Sequence, residues 1–225
     1  MPGAATITMT MIDAPALARL LAVASPFFPT GGFAYSHGLE WAVENRDVTD
    51  PHSLTAWLRA ILRHGAGRSD AILLRHAHRA SGQPDALAAL AELAAALSPS
   101  AERLLETVAQ GEAFGAAAAS WGCAMSPCAY PVAFGAFAGR FSIGEEAACV
   151  AFLSAFVLNL ISAAVRLVPL GQSDGVRAAA VLQDDLLEVA AGTRHAALDE
   201  LGGACFRSDL ASMRHETQYS RMFRS

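Results

Sequence analysis

Leu54, Trp57, Leu58, Ile61 and Leu62 recur at i, i+3, i+4, i+7 and i+8, the spacing of one helix face. Asp50 followed by Pro51 supplies that helix with an N-cap oxygen and a proline at its first position. Ser98–Pro99 repeats the grammar before a helix through Leu104, Leu105 and Val108. Ser142-x-x-Glu145 reads as a capping box opening a long apolar helix, in which Phe152, Phe156, Leu160 and Ile161 share one stripe. Asp174–Gly175 precedes a further helix expected to end near Glu188. Ser81–Pro84 and Gly122–Tyr130 read as interhelical loops. Sustained alternation of period two is absent and β-branched residues are scarce. The pattern predicts an all-α protein: a single compact bundle of about nine to ten helices around a buried apolar helix. Residues 13–213 form the expected helical domain, between a flexible N-terminus (1–12) and a flexible C-terminal tail (214–225).

Composition changes this picture in three places. With 53% hydrophobic and 16% charged residues in 225, the chain has enough apolar mass to fold and is not intrinsically disordered. The formal charge is −5, from 16 basic and 21 acidic residues, which disfavours a nucleic-acid partner. Every basic residue is arginine, so Schiff-base and Walker lysine chemistry are excluded. The run Ala147–Val165 carries no charge and is long enough to cross a bilayer. It contains Ser154, Asn159 and Ser162 and lacks a flanking basic cluster, so it reads as a helix buried on all sides of a soluble domain, not a membrane anchor. The first residues lack the pattern of a signal peptide, and the expected location is the cytoplasm.

Catalytic spacings are missing: there is no GxxxxGK(S/T), GxGxxG, HExxH or GxSxG, so the chain is not itself a P-loop GTPase. His76-x-His78 would project about 200° apart on a helix, and the surrounding RHAHR reads as a solvated face. Cys123 and Cys128 flank Met125 without a third ligand nearby, and with Cys149 and Cys205 they read as reduced thiols. No metal site and no directly bound cofactor are expected. Gly31–Gly32, leading into Tyr35, His37 and Glu40, is either a turn or a functional loop. Arg166 and Gln172 are either a helix end and turn or polar anchors of an interface. In the last segment Arg207, Arg214, Arg221 and Arg224 interleave with His215, Tyr219, Met222 and Phe223, which is either a frayed end or a basic-aromatic docking element.

Five blocks then resemble one family, in its order. They are SPFFPTGGFAYSHGLEWAV (Ser25–Val43), AWLRAILRHGAGRSDAILLRHAHRA (Ala56–Ala80), PVAFGAFAGRFSI (Pro131–Ile143), LNLISAAVRLVPLGQSDG (Leu158–Gly175) and RHETQYSRMFRS (Arg214–Ser225). Together they resemble the UreF family of urease accessory proteins. Two departures are local: Val176 where glutamine is expected, and Ala34 where serine is expected. The resemblance implies a non-enzymatic, all-helical maturation chaperone. It implies action with a UreD-type (UreH) scaffold and the GTPase UreG on urease apoprotein, in GTP-dependent nickel insertion and carbamylation of the active-site lysine. It also implies a homodimer within that complex. Partner binding is then expected of the tail, Arg214, Tyr219, Arg221, Phe223 and Arg224, chiefly toward the scaffold. A second expected surface is Gly31, Gly32, Tyr35, His37 and Glu40, and a third is Arg166 with Gln172. Competing expectations are a nickel carrier using ligands such as His76 and Cys123, a GTPase activator supplying one arginine as a finger, and a membrane protein built on Ala147–Val165.

Overall fold

The helix carrying RHAHR lies at the centre of the fold. A computed structural model describes residues 13–225. Among these residues it contains ten α-helices and no strand: α1 (Ala14–Val23), α2 (Leu39–Glu44), α3 (Pro51–His64), α4 (Ala66–Arg79), α5 (Pro84–Ala96), α6 (Ala101–Ala118), α7 (Tyr130–Arg140), α8 (Glu145–Leu167), α9 (Gln172–Gly192) and α10 (Phe206–His215). The all-α expectation holds; the expectation for residues 1–12 lies outside the described residues. Helix α4 packs against α3, α5, α7, α8 and α9. Its closest neighbour is α7, and glycine makes that approach possible. A Cβ on Gly135 would stand 2.2 Å from the Leu74 carbonyl oxygen, and one on Gly139 would stand 2.3 Å from that of His78.

This placement corrects the reading of RHAHR as a solvated face. Arg75 is only 1% exposed. Its guanidinium meets Glu145 at 2.7 Å and Glu146 at 2.8 Å, both in the first turn of α8, and donates to the Ala190 carbonyl on α9. His76 Nε2 lies 3.0 Å from the Ala196 carbonyl and His78 Nε2 lies 2.7 Å from that of Ile143. A buried cation costs stability unless it is paired and hydrogen-bonded, and here α8 and α9 supply the partners.

Local signals hold in part. Asp50 caps α3, accepting from the Ser53 amide at 2.8 Å, as its sequence predicts. The cap of α6 is Ser100, two residues beyond Ser98, accepting from the Arg103 amide at 3.1 Å. Ser142 does not cap α8: it takes a left-handed φ of 54°, and Gly144 is the N-cap. Asp174 lies inside the first turn of α9, where it accepts from the Gly171 amide at 2.9 Å, and the helix runs on past Glu188 to Gly192.

Helix α8 is the one described helix long and apolar enough to cross a membrane, and only half of its apolar window is buried. This corrects the expectation of burial on all sides. Its inward residues Phe152, Leu153, Leu160 and Ile161 join the main core, while Leu158 is exposed. Alanines and serines on the outer face explain how the run lacks charge without being wholly interior. A smaller apolar cluster of Leu73, Ala77, Leu90, Ala94 and Val132 fastens α5 to the α4–α7 pair.

Candidate functional site

The tail is docked, which corrects the expectation of a flexible end. Beyond α10 the chain turns through Thr217 and Gln218 and runs back across the segment joining α1 to α2. Buried Glu40, in the first turn of α2, accepts from the backbone amides of Met222 at 2.6 Å and Phe223 at 2.9 Å. The Arg224 amide donates to the Ala34 carbonyl at 2.8 Å. The Ser225 carbonyl accepts from Ser36 twice, from its amide at 2.7 Å and its hydroxyl at 2.6 Å. Ser225 Oγ donates to Glu106 at 2.7 Å, and Arg221 reaches Glu102 at 2.9 Å. Phe223 is 4% exposed and belongs to the main core. The Arg166 guanidinium lies 4.4 Å from the centre of its ring, a cation–π contact, and also donates to the Phe33 carbonyl at 3.1 Å. Arg224 stands 5.9 Å from the centre of the Tyr35 ring.

Backbone conformation makes this seat. Gly31 has φ +72° and opens the 3-10 turn Gly32–Ala34. His37 and Gly38 both take positive φ before α2. At Gly38 there is no alternative residue: a Cβ would stand 2.6 Å from the Ser212 amide nitrogen, where α2 abuts α10. The glycines thus serve a turn and a close approach; no bound anion is needed to account for them.

Three of the expected surfaces become one. Tyr35, His37 and Glu40 are all buried: Glu40 and the Tyr35 ring meet the tail, whereas His37 lies against Glu106 and the Phe156 ring. Arg166 caps the tail's Phe223. Gln172 is not part of this contact; it is exposed at the start of α9. The tail set itself divides. Phe223 is buried; Arg221 and Arg224 are exposed but tied to the body, by Glu102 and by the Ala34 carbonyl; Arg214 and Tyr219, and Met222 outside the set, face outward. Tyr219 is fully exposed, over a shallow groove with Trp41, Glu44 and Leu210. Exposed Phe206, Leu210 and Met213 continue that face along α10 at i, i+4 and i+7. That stripe was visible as spacing in the sequence and was missed, as were the anchors Ser36, Glu102, Glu106 and Ser225; His215, named with the tail, is a buried anchor between Glu40 and Glu102.

A second feature adjoins the same segment. A cavity of about 420 Å³ opens between the post-α1 loop, α6 and α8, lined among others by Thr30, Asp70, Gln110 and Asn159. Phe27 (92% exposed) and Phe33 (72% exposed) flank it. Asn159 on α8 donates to the Gly32 carbonyl at 2.9 Å and ties the loop to the wall. Burial works to raise the Glu106 carboxyl, but Arg103, paired with it, and His37 outweigh it and hold the group well below the usual range. Burial, with Arg103 nearby, pulls the His37 ring down, although Glu106 at 3.5 Å opposes this. Asp70 is pushed up to about 7, chiefly by burial, with Glu106 adding to the rise and Arg103 opposing it.

The Asp70 shift has a testable sign. A carboxyl raised from its ordinary value holds a proton in the folded state that the unfolded chain has lost. It therefore weakens the fold as pH climbs from about 4 to about 7. Asp70→Asn removes the titration. The variant is expected to gain roughly 1–3 kcal/mol in urea unfolding at about pH 8 and to match the parent near pH 4.

Among the described residues no group of three or more His, Cys, Asp or Glu side chains is placed to hold a metal ion. His76 is tied to a backbone carbonyl, Cys123 is buried, and burial pushes the Cys128 thiol up to about 11. A nickel carrier built on His76 and Cys123 finds no support in this geometry.

The fold and site define a class: an all-helical protein whose polar side chains seat its own C-terminal strap and present the strap's outer face. Comparison with known proteins gives the family. The UreF family model matches residues 48–183. The urease accessory protein UreF of Bradyrhizobium sp. strain BTAi1 is 50% identical, covering 96% of this chain and 95% of the relative. UreF of Rhodopseudomonas palustris strain BisB5 is 51% identical over 93% of this chain and 91% of its own. UreF of R. palustris strain HaA2 is 48% identical over the whole of both. The chain belongs to the UreF family of urease accessory proteins, and its role is in urease maturation, not catalysis.

Proposed function

We propose that this chain is the adaptor of a urease maturation complex, with the outer face of its docked tail as the seat for a UreD-type scaffold. In this reading it also engages the GTPase UreG and urease apoprotein during GTP-dependent nickel insertion. It works in the cytoplasm as a homodimer within the complex, and holds neither nickel nor nucleotide itself. The observation that carries the reading is the division of the tail. Glu40, Ser36 and Arg166 hold its inner side, which leaves Arg214 and Tyr219 beside Leu210 of the exposed apolar stripe Phe206–Leu210–Met213, and Met222 exposed further along the tail. Arginine and tyrosine around an apolar centre make a surface suited to tight protein contact. An adaptor acts on a GTPase through differing affinity for its nucleotide states and needs no nucleotide motif of its own.

Titration of the scaffold against Tyr219→Ala tests this. The ring is fully exposed, so the fold is untouched. Affinity is expected to fall by roughly tenfold to a hundredfold, the scale of an interface hot spot. Unchanged affinity in both Tyr219→Ala and Arg214→Ala would move the scaffold's seat elsewhere.

A further inference from the structure

The cavity between the post-α1 loop, α6 and α8 is lined by acceptors that lack a donor. Among the described residues no group donates to the carboxyl of Asp70, on α4; only burial and the charges of Arg103 and Glu106 act on it. Gln110, on α6, is 8% exposed. Its Nε2 donates to Glu106 at 3.4 Å, which fixes the amide and leaves Oε1 beside Gly32. Asn159 is fixed likewise, since its Nδ2 donates to the Gly32 carbonyl. A Cβ on Gly32 would stand 3.5 Å from Thr30 Oγ1, 3.6 Å from Gln110 Oε1 and 3.7 Å from Asn159 Oδ1. Three oxygens thus surround one open point on the cavity wall. Among the described residues neither amide oxygen accepts a hydrogen bond.

The charges leave one anion over. The wall carries Asp70, Glu106 and Arg103. Arg103 pairs with Glu106 at 2.5 Å. His37 lies against Glu106 at 3.5 Å, and burial above all disfavours a proton on its ring. Asp70 is the member without a counter-charge. A buried carboxylate with no partner costs stability, and that is the cost which Asp70→Asn is expected to remove. A residue that weakens the fold and has no partner in its own chain suits a site completed by a ligand. The rest of the lining is aromatic and apolar. Phe152 and Phe156 of α8 contribute, and Phe27 and Phe33 stand exposed at the mouth. Aromatic rings accommodate an apolar stem and attract a cation.

We propose that this cavity binds one organic cation, an ammonium or guanidinium group carried on an apolar stem. The head group donates to the oxygens beside Gly32 and answers the charge of Asp70, while the stem lies among the phenylalanines. Ammonium and guanidinium groups are donors only, which matches a wall of acceptors. A neutral donor would leave the Asp70 charge uncompensated, and an anion would add to it. The volume of about 420 Å³ is within the range of small-molecule sites. The cavity shares no lining residue with the groove under Tyr219, so this reading and the adaptor reading stand or fall separately.

The test titrates the ¹⁵N-labelled full chain with n-butylammonium and n-butylguanidinium at about pH 8, where Asp70 is ionised. The Gln110 side-chain amide signals, assigned by their loss in Gln110→Met, report on the site. Both cations are expected to shift them saturably. The neutral isostere n-butylurea is expected to bind roughly tenfold to a hundredfold more weakly, and Asp70→Asn to weaken the cations by a similar factor. Gly32→Ala is the second variant: its methyl would sit among the three oxygens at ordinary contact distances, so the fold is kept while the head group loses its place. An arginine blocked at both ends as in a peptide separates the sources of the cation. Binding as tight as that of n-butylguanidinium assigns the site to a partner protein's basic side chain, and exclusion of the blocked form assigns it to a free amine or guanidine. The proposal is overturned if neither alkyl cation shifts the Gln110 signals, if n-butylurea binds as well as n-butylguanidinium, or if Asp70→Asn leaves the affinities unchanged.

Discussion

Glu40→Ala is expected to free the tail. The side chain accepts from two tail amides and meets His215, all in a buried setting. Without it two main-chain donors lose their acceptor, and His215 keeps only Glu102. Removal of one partner from a buried charged network costs roughly 3–5 kcal/mol. Most of that loss is expected to appear locally, since the strap can lift while the helices remain. Residues 216–225 should then become sensitive to protease and exchange near the intrinsic rate, with far-ultraviolet circular dichroism little changed. Phe223 leaves the core in the same step, exposing the ring now beneath Arg166. Limited proteolysis with mass spectrometry reads the effect. A tail as protected in Glu40→Ala as in the parent would show that Phe223 and Ser225 suffice to hold it.

Gly135→Ala is expected to be among the most damaging single changes in the chain. One methyl group would lie 2.2 Å from the Leu74 carbonyl oxygen and 3.1 Å from Ala77 Cβ. The clash is with backbone, so no rotamer relieves it, and α4 and α7 must separate. Overpacking of this kind costs typically 1–3 kcal/mol, and more where nothing flexible yields. Because α4 is also the helix that holds Arg75 between Glu145 and Glu146, displacement strains a buried ion pair as well. A loss of at least about 3 kcal/mol in urea unfolding is expected. Gly122→Ala is the control for helix packing, because nothing lies within 4 Å of its Cβ position. Its φ of +76° confines any cost to local strain.

Local chemistry was legible in the sequence; long-range chemistry was not. Asp50, Pro51 and the Leu54–Leu62 face gave α3 directly, because a cap and a periodic stripe lie within a few residues of each other. Ser98 and Ser142 misled because a cap depends on where the backbone turns, and Ser100 and Gly144 hold those places. RHAHR looked solvated because its partners lie far along the chain: Glu145 is 70 residues from Arg75, and the Ala196 carbonyl is 120 from His76. The tail looked free for the same reason. Its composition is polar, while its anchors Glu40 and Glu102 stand 183 residues from Phe223 and 119 from Arg221. The sequence marked Gly31–Glu40, Arg166 and the tail as separate candidate surfaces. That they are one contact is visible only in the fold.

The most direct test of the adaptor account is capture of the UreD-type scaffold and the UreG GTPase by the full chain and by a chain ending at Met213. The account predicts that the shortened chain keeps its helical circular dichroism and loses the scaffold. If the shortened chain still captures the scaffold as the full chain does, the tail is not the docking element and the account is contradicted.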